Sequence, residues 1–363
     1  MKSLIIEKNK LEENIRAIQN YAKGAIVIAV LKCNAYGLGL LEFAEILSNN
    51  GIKHFAVSDV KEGVVIRKNG FTGEILLLSA TCIPEEVELI GEYDITATVA
   101  DQLSAKLLNS VGEKLEKNIS AHIKIETGFG RFGFNSAKEA LETLLPLKHI
   151  VITGAFTHLS DAFGKEAHSR AQFARFMEEV KHIEEGGIPI LLKHIANSSA
   201  FLRFPDMHLD AVRIGSAFLG RLTVPSPISL HKIAYLESPI RYVKTLPKGS
   251  NIGYANTCKL KRDSKIAVIG VGYSDGFGVL KKNDTFRMFD MIRYIYHDFK
   301  SIVMDNRTFV TINQKRYPLL GRISMYNVIV DITQSDIAPG DVAILDCNPI
   351  LINATIERKY IEL

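Results

Sequence analysis

The first 220 residues alternate between short apolar runs and longer stretches whose apolar residues recur with helical spacing. Eight apolar runs are predicted as strands, at residues 25–30, 54–58, 74–78, 95–99, 122–126, 152–158, 191–196 and 211–215. Helical patterns lie between most of them, for example at 41–50, 60–69, 84–93, 101–110 and 170–185. Strands that alternate with helices indicate a parallel sheet. Eight such units predict an α/β fold with a closed (β/α)8 TIM-type barrel, and an open doubly wound sheet is the alternative.

The pattern changes after about residue 225, where short β-rich runs separated by turn residues replace the alternation. These runs include KIAVIGVGY, NVIVDIT and DVAILD, and only short stretches between them look helical. We therefore predict two domains, a barrel over residues 1–225 and a C-terminal mostly-β domain over residues 226–363.

The charge is nearly balanced, with 44 basic and 40 acidic residues and a net charge of +4. Such a balance gives no reason to expect a nucleic-acid partner or a membrane surface. The N-terminus lacks an apolar signal core, and the apolar run at 25–31 is far shorter than a membrane span, so we expect a cytoplasmic protein. The four cysteines are widely scattered without metal-ligand spacing, so we expect neither a metal site nor disulfides.

Polar residues follow five of the predicted strands, at the ends that meet on one face of a barrel. They are Lys32 after the first strand, Arg131 beyond the fifth, His158 at the end of the sixth, Asn197 and Ser198 after the seventh, and Arg213, Gly215 and Ser216 at the eighth. Barrel active sites are built on this face. Chance could place polar residues at the ends of one or two strands, but it is a weaker explanation for five strands. The pattern therefore predicts an active site.

Lys32 follows an all-apolar strand, in the segment AVLKCNAYGLG. A buried ammonium is costly unless it is paired or neutralised. Burial lowers the pKa of a lysine and makes its amine a nucleophile for a carbonyl group. Lys32 is therefore a candidate nucleophile, and the alternative is a lysine that ends its strand and reaches solvent.

A glycine-rich turn, GFGRFG at 128–133, carries Arg131. Its glycines permit a tight backbone, so the arginine is well placed to bind a carboxylate through two hydrogen bonds. The alternative is an ordinary loop. The turn lacks the acidic partner in a βαβ unit that a dinucleotide site requires.

The end of the predicted barrel carries a candidate phosphate site. Ser198 begins a predicted helix, and its hydroxyl could cap that helix or bind a phosphate oxygen. Gly215 and Ser216 could offer backbone N–H groups to the same phosphate, since barrels often bind phosphate after strands seven and eight. Arg213 lies inside an apolar strand and needs a partner, for which His158 and a cofactor ring nitrogen are the candidates.

The motifs occur in an order that resembles one enzyme family. AVLKCNAYGLG, HIKIETGFGRFGF, GAFTHLS, HIANSSAFLRFPD, DAVRIGSAFLG, NIGYANT, GVGYSDGFG and GRISM follow one another as in alanine racemases. The resemblance covers nearly the whole chain, and the lysine segment is typical of barrel-type enzymes that use pyridoxal 5'-phosphate (PLP). It implies a PLP-dependent enzyme that interconverts L-alanine and D-alanine, supplies D-alanine for peptidoglycan and works as a homodimer with shared active sites.

The resemblance also implies roles for single residues. Lys32 would hold PLP as a Schiff base, and Lys32 and Tyr254, contributed from opposite subunits, would act as the two bases on opposite faces of the substrate. Arg131 would bind the substrate carboxylate, and Met325 would lie beside the substrate from the other subunit. Lys124 matches a position that is often carbamylated, where the carbamate would orient Arg131. His158 would hydrogen-bond Arg213 to form a cationic pair, with Arg213 facing the pyridine nitrogen. The cofactor-binding positions implied are Lys32, Tyr36, His158, Asn197, Ser198, Arg213, Gly215 and Ser216. Tyr273 matches a tyrosine near the mouth of the family's active site.

Two departures from the family pattern keep alternatives open. Tyr326 stands where the family usually has Asp close to the substrate, so a racemase for serine or another amino acid is an alternative. The C-terminal LINATIERKYIEL lacks the family's closing segment, and Tyr360 has the wrong spacing for its phosphate-binding tyrosine. A barrel-type PLP decarboxylase would need a loop that LDCNP around Cys347 imitates poorly, and a non-catalytic PLP-binding protein would be a barrel alone.

Overall fold

The computed structural model describes residues 1–280, 285, 287–303 and 307–362. The chain divides into two compact units, Lys8–Ile233 and a second unit formed by Met1–Glu7 together with Ala234–Glu362. The first unit therefore differs from the predicted barrel domain of 1–225 at both of its ends.

Long-range contacts explain both differences. Strand β1 (Ser3–Glu7) is buried along its whole length and pairs with residues 234–237 and 357–361, so it belongs to the second unit. The segment before residue 234 is tied to the first unit by Asn14, whose side chain accepts from His231 N at 2.8 Å and donates to His231 O at 2.8 Å. The same amide donates to Phe218 O at 2.9 Å.

Eight parallel strands form the sheet of the first unit. They are β2 (Ile26–Val30), β3 (His54–Val57), β4 (Glu74–Leu77), β5 (Ala97–Val99), β6 (Ile119–Lys124), β7 (Ile150–Phe156), β8 (Leu192–Asn197) and β9 (Ala211–Ile214). The strand order is β4-β3-β2-β9-β8-β7-β6-β5, and a bridge between Leu76 and Thr96 joins the two ends of this order. The predicted (β/α)8 barrel is confirmed.

Helices connect the strands and cover the outside of the barrel. They are α1 (Lys8–Tyr21), the turn α2 (Lys32–Gly37), α3 (Leu40–Asn49), α4 (Val60–Lys68), α5 (Pro84–Glu92), α6 (Gln102–Lys114), α7 (Ala137–Leu144), α8 (Glu166–Glu185) and α9 (Ser198–Arg203), with 3-10 turns at Pro205–Met207 and Ser216–Leu219. The longer helices bury one apolar stripe, as α8 does with Phe176, Val180 and Ile183. Asp101 begins α6 by accepting from Ser104 N at 2.8 Å.

Side chains alternate along each barrel strand, so every second residue points inward. Inward-facing Ile28, Val30, Ala56, Leu76 and Ala211 form one apolar cluster on one side of the barrel interior. Both faces of the barrel sheet are buried, which is why its strands are nearly continuous apolar runs in the sequence.

The second unit is mostly β, as predicted. Its remaining strands are β10 (Ala234–Leu246), β11 (Asn251–Ile252), β12 (Cys258–Lys259), β13 (Ser264–Ile269), β14 (Phe309–Ile312), β15 (Lys315–Leu320), β16 (Val328–Asp331), β17 (Val342–Leu345) and β18 (Glu357–Ile361), with 3-10 turns at Tyr254–Asn256, Tyr273–Asp275 and Pro349–Leu351. The main sheet has the order β13-β16-β15-β14-β17-β10-β1-β18, and β10 also pairs with β13. The long strand β10 alternates buried and partly exposed residues along its first half, as expected for a sheet with one solvated face.

One element of this unit departs from the prediction that only short stretches are helical. Helix α10 (Met288–Val303) has 16 residues. Its apolar residues Met288, Ile292, Ile295 and Phe299 recur at helical spacing, yet each is more than half exposed. Across the described ranges of the chain, no helix has both the length and the apolar character that crossing a membrane requires.

Candidate active site

A cavity of about 270 Å³ opens at the carboxyl ends of the barrel strands. Its lining includes every residue that the sequence predicted to bind the cofactor, namely Lys32, Tyr36, His158, Asn197, Ser198, Arg213, Gly215 and Ser216. It also includes five residues that the sequence did not single out, Val30, Leu78, Phe163, Ser199 and Thr223. The structure thus brings together residues as far apart in the chain as Val30 and Thr223, which are separated by 193 positions.

Lys32 enters this cavity from the end of β2. Burial lowers the pKa of Lys32, Cys33 opposes that shift, and the nearby cations Arg131 and Arg213 lower the pKa further. The Nζ atom lies 6.0 Å from the centroid of the Tyr36 ring. A lysine whose ammonium form is disfavoured in this way has more of the neutral amine that attacks carbonyl groups.

The residues after Lys32 form a left-handed helical turn. Four consecutive residues that are not glycine, from Cys33 to Tyr36, have φ between 52° and 57°. Left-handed backbone costs roughly 1–2 kcal/mol per L-residue, so other contacts must hold the turn. Glu62 of α4 supplies one, because its Oε1 accepts from Asn34 N at 2.8 Å. The Asn34 side chain then accepts from Leu40 N at 2.8 Å, which ties the turn to α3.

The left-handed turn presents Tyr36 to the cavity next to Gly215. Burial raises the pKa of Tyr36 to about 12, so the phenol keeps its proton and can donate a hydrogen bond. A Cβ atom added at Gly215 would collide with the Tyr36 hydroxyl. The absence of a side chain at this position is therefore what lets the phenol reach the end of β9.

The sequence left two roles open for Ser198, capping helix α9 or binding a phosphate oxygen, and the structure gives the capping role to Asn197. Asn197 caps α9, since its Oδ1 accepts from Ser199 N and Ala200 N, both at 3.1 Å. Ser198 Oγ instead accepts from Gly215 N at 3.0 Å and from Ala217 N at 3.4 Å. The suggestion that Gly215 offers its N–H to a phosphate is corrected by this contact, because the Ser198 hydroxyl receives that hydrogen bond.

Arg213 is 3% exposed and is held by hydrogen bonds on two sides. Its Nη1 lies 2.7 Å from His194 Nδ1, and its Nη2 donates to Thr157 O at 2.7 Å. Burial lowers the pKa of Arg213 to about 9. The predicted hydrogen bond between His158 and Arg213 is wrong: among the described residues the imidazole partner of Arg213 is His194. The signal for His194 was available, since it occupies an inward position of β8, but an isolated buried histidine carries little weight by itself.

His158 lines the cavity without the positive charge predicted for it. Burial lowers the pKa of His158 to about 2, and Arg213, Lys124, Arg131 and Lys32 lower it in the same direction. Its ring meets the Phe129 ring edge-on, with 5.0 Å between centroids. His158 is therefore neutral near neutral pH, and the cationic pair proposed for it with Arg213 does not form.

Lys124 points into the barrel below this cavity. It is 2% exposed, and its Nζ lies 3.3 Å from Ile125 O and 3.4 Å from Thr157 Oγ1. Burial and Arg213 lower the pKa of Lys124 to about 7, with Glu126 opposing and Arg131 adding to the shift. A substantial fraction of this side chain is thus the neutral amine near neutral pH.

The glycine-rich turn at 128–133 is organised by Glu126, a residue at a predicted strand end to which the sequence assigned no role. Its carboxylate accepts from the backbone N–H groups of Gly128, Phe129, Gly130 and Arg131. Burial alone would raise the pKa of Glu126, but these hydrogen bonds outweigh it and hold the pKa below its usual value. The Arg131 guanidinium lies 4.6 Å from the Phe129 ring centroid and is exposed to solvent. The turn therefore presents a cation that a bound anion could reach.

The remaining predicted residues belong to the second unit. Tyr254 is 68% exposed and Met325 is 47% exposed. The backbone carbonyl of Met325 accepts from Ser274 Oγ at 2.6 Å, which joins its loop to the turn that carries Tyr273. Tyr326 is 54% exposed, and Lys2 Nζ lies 5.8 Å from its ring centroid.

Comparisons with known proteins cover both units. The family description "Alanine racemase, N-terminal domain" matches residues 6–222, and "Alanine racemase, C-terminal domain" matches residues 233–357. The alanine racemase of Carboxydothermus hydrogenoformans is 32% identical over 347 residues, 94% of this chain and 88% of that relative. The alanine racemase of Clostridium tetani is 32% identical over 352 residues, 94% of this chain and 84% of that relative. The solved alanine racemase of Clostridium difficile 630 superposes with a TM-score of 0.86 at 26% identity, covering 99% of this chain and 96% of that one.

Proposed function

The chain belongs to the alanine racemase family, and on this premise we propose that it interconverts L-alanine and D-alanine with PLP bound in the barrel cavity. The observation that carries the proposal is the convergence of eight predicted cofactor residues on one cavity. They come from four separate segments of the chain, which the barrel brings together at one end of its strands.

The chemistry of the cavity fits PLP at each end of that molecule. Lys32 offers an amine of lowered pKa for the aldehyde carbon. The hydroxyls of Tyr36, Ser198 and Ser216 can donate to a phosphate, and Gly215 leaves the space that a side chain would fill. Arg213 has donors and no acceptor, so it suits a ring nitrogen that stays unprotonated.

When bound, PLP supplies the conjugated ring that stabilises negative charge at the substrate Cα. The side chains of this protein then have to remove a proton from one face and return one to the other. We assign one face to the Lys32 amine and the opposite face to the Tyr254 phenol, and the two groups exchange the roles of base and acid between the two directions of the reaction. Because its partner His194 is neutral, Arg213 stays a hydrogen-bond donor that can face the ring nitrogen of PLP. An arginine there leaves the nitrogen unprotonated, which weakens the ring as an electron sink and disfavours side reactions such as transamination.

Substrate recognition falls to the turn organised by Glu126. Arg131 would bind the substrate carboxylate with two hydrogen bonds, and Met325 would lie beside the substrate from the second subunit. A carbamate on Lys124 would replace a buried amine by an anion that orients the Arg131 guanidinium. The lowered pKa of Lys124 supports this modification, because carbon dioxide reacts with the neutral amine.

The biological setting follows from the reaction. We propose a cytoplasmic homodimer with shared active sites, whose D-alanine product serves peptidoglycan synthesis. The exposure of Tyr254 and Met325 supports the shared sites, since both side chains are available to a second subunit.

Borohydride reduction of the purified protein in the presence of PLP, followed by peptide mapping, tests the cofactor assignment. The label should lie on Lys32, and Lys32→Ala should remove it. A chiral assay with each proteinogenic amino acid tests the reaction, with alanine expected as the preferred substrate. A label on Lys124, or no labelling at any lysine, would contradict the proposal.

A further inference from the structure

A row of polar side chains crosses the barrel interior and ends at Arg213. His194 Nδ1 lies 2.7 Å from Arg213 Nη1, and His194 Nε2 lies 2.9 Å from His122 Nδ1. His122 Nε2 lies 3.4 Å from Glu74 Oε1, without the alignment of a well-formed hydrogen bond. Glu74 Oε2 in turn lies 2.9 Å from His54 Nδ1. Strands β4, β6 and β8 are not neighbours in the sheet, so these contacts run through the inside of the barrel.

The row connects a solvated end to a dry end. The side chains of His54 and Glu74, at the first residues of β3 and β4, are 30% and 25% exposed. His122 is 1% exposed and His194 is fully buried. Polar groups so deeply buried must find partners inside the protein.

The donor and acceptor roles in this row can be assigned from Arg213 alone. A guanidinium only donates, so His194 Nδ1 accepts, and a neutral His194 carries its proton on Nε2. His194 Nε2–H then donates to His122 Nδ1, and His122 carries its proton on Nε2, facing Glu74. Burial, Arg213 and His122 hold the pKa of His194 well below its usual value, which agrees with a neutral ring.

Glu74 lies beside ring nitrogens on two sides, His54 Nδ1 at 2.9 Å and His122 Nε2 at 3.4 Å. Burial raises the pKa of Glu74, but contacts with His122 and His54 outweigh it and hold the pKa below its usual range, so Glu74 is an acceptor-only carboxylate. Without that carboxylate, His122 would either bury an N–H group that has no acceptor or move its proton to Nδ1. In the second case two N–H donors would oppose each other across the 2.9 Å between His122 and His194.

The packing around the rings leaves little room to relax that conflict. The His194 ring stacks on the Phe156 ring with 5.0 Å between centroids and an interplanar angle of 6°. A Cβ added at Gly154 would lie 2.8 Å from His122 Nε2, so the glycine is needed to make room for this ring. A shift of the His194 ring would therefore also move Arg213, because the two side chains are joined by the contact at 2.7 Å.

We propose that Glu74 is a positioning residue of the active site: as the terminal acceptor of the row, it fixes the tautomers of His122 and His194 and thereby the orientation of Arg213. This inference rests on the proposed function, in which Arg213 faces the cofactor ring. Glu74 itself touches neither substrate nor cofactor, because it lies at the opposite ends of the strands.

Two substitutions separate the acceptor role from other roles of the carboxylate. Glu74→Ala removes the acceptor, whereas Glu74→Gln keeps one oxygen for His122 and requires only the partly exposed His54 to reverse its tautomer. Glu184→Gln is the matched control, because Glu184 is a partly exposed carboxylate that pairs with Lys193 of β8 at 2.8 Å and is not part of the row.

The first readout needs no cofactor. Ring ¹⁵N shifts of histidine-labelled protein should show protons on Nε2 of His122 and His194 in the wild type, in Glu74→Gln and in Glu184→Gln. In Glu74→Ala the His122 signals should show a mixture of tautomers or a proton on Nδ1. Unchanged tautomers in Glu74→Ala would overturn the proposal.

The second readout is kinetic and uses the PLP-loaded enzyme. Glu74→Ala should lower kcat about tenfold with little change in the KM for alanine, since Arg213 does not bind the substrate carboxylate, while Glu74→Gln should retain most of kcat. Should Glu74→Ala fail to fold, Glu74→Gln still decides, because a tenfold loss of kcat with unchanged tautomers, or full activity with a reversed His122, contradicts the proposal. A wild-type protein that neither binds PLP nor racemises alanine would instead refute the proposed function, whatever the tautomers are.

Discussion

At the scale of single residues, Arg131 owes its position to the Glu126 carboxylate, which accepts hydrogen bonds from the backbone of its turn. Glu126 gathers the backbone N–H groups of the turn, and Arg131 is left exposed over the Phe129 ring. The sequence indicated the arginine, because a glycine-rich turn after a strand is a recognisable pattern. It could not indicate the carboxylate, since an acidic residue at the end of a strand has many other uses.

Arg131→Ala should lower kcat/KM for alanine by a factor that corresponds to about 2–5 kcal/mol of lost transition-state stabilisation, the range for a charge pair that becomes desolvated when the substrate binds. The physical reason is that the substrate carboxylate would lose its bidentate partner. Steady-state racemisation assays measure the loss, with Arg175→Ala, an exposed arginine of α8, as the control. Full activity in the Arg131 variant would remove the substrate-binding role.

If Lys124 is carbamylated, the activity of the enzyme should depend on carbon dioxide. The Lys124 pKa of about 7 means that the neutral amine, which forms a carbamate, increases as the pH rises through about 7. Activity should therefore fall in carbon dioxide-depleted buffer, most at lower pH, and ¹³C-bicarbonate should give a carbamate NMR signal that Lys124→Ala lacks. Lys124→Ala should impair catalysis less than Arg131→Ala and be partly rescued by acetate. The control is Lys193→Ala, and a carbamate signal that persists in Lys124→Ala would contradict the assignment.

Tyr326 should influence which side chain the enzyme accepts. It replaces an acidic residue by a neutral aromatic one, and Lys2 lies over its ring while pairing with Asp275 at 2.6 Å. Tyr326→Asp should change the ratio of kcat/KM for alanine and serine more than it changes PLP affinity. Tyr326→Phe, which keeps the ring, is the control. Equal changes in specificity and PLP affinity would mean that the residue has a structural role.

At the scale of elements, the barrel strands were predictable and several other elements were not. Predicted strand 54–58 is observed as His54–Val57, because buried parallel strands produce continuous apolar runs. Strand β1 was missed because its pairing partner β10 begins more than 220 residues further along the chain. Helix α10 was missed although its apolar residues recur at helical spacing, because short β-rich runs dominate the sequence on either side of it.

The left-handed turn at Lys32–Gly37 was also beyond prediction, although Lys32 itself was found. None of the four left-handed residues is a glycine, so the local sequence does not predict this conformation. The contact that supports it comes from Glu62, almost thirty residues further along the chain. Local sequence thus identified the chemistry of the segment, and tertiary contact determined its shape.

This contact can be tested by removing its acceptor. Glu62→Ala should lower the free energy of unfolding by about 0.5–1.5 kcal/mol, the net contribution of one hydrogen bond, because Asn34 is exposed and water can replace the lost acceptor. It should also weaken PLP binding, because Tyr36 lies on the same turn. Urea unfolding and PLP titration measure the two effects, and Lys61→Ala, one residue earlier on the exposed face of α4, is the control. Unchanged PLP affinity in Glu62→Ala would show that the turn keeps its shape without the carboxylate.

At the scale of the whole molecule, the proposed reaction needs residues from both units. Lys32, Arg213 and the cavity belong to the first unit, whereas Tyr254 and Met325 belong to the second and are largely exposed. A mixture of two inactive variants can show whether one active site draws on two chains. Lys32→Ala and Tyr254→Phe homodimers should each be nearly inactive in racemisation.

In a mixed dimer of these variants, two-fold symmetry determines where the substitutions fall. If each site takes Lys32 from one subunit and Tyr254 from the other, one site carries both substitutions and the other carries neither. Equal amounts that reassort at random give about half mixed dimers, each with one intact site, so about a quarter of wild-type activity should return. If both residues served a site from the same chain, every site would keep one substitution, and activity would stay at the sum of the two variants. Co-refolding followed by chiral chromatography distinguishes these cases, and mixed dimers without recovered activity would leave Tyr254 without its role across the interface.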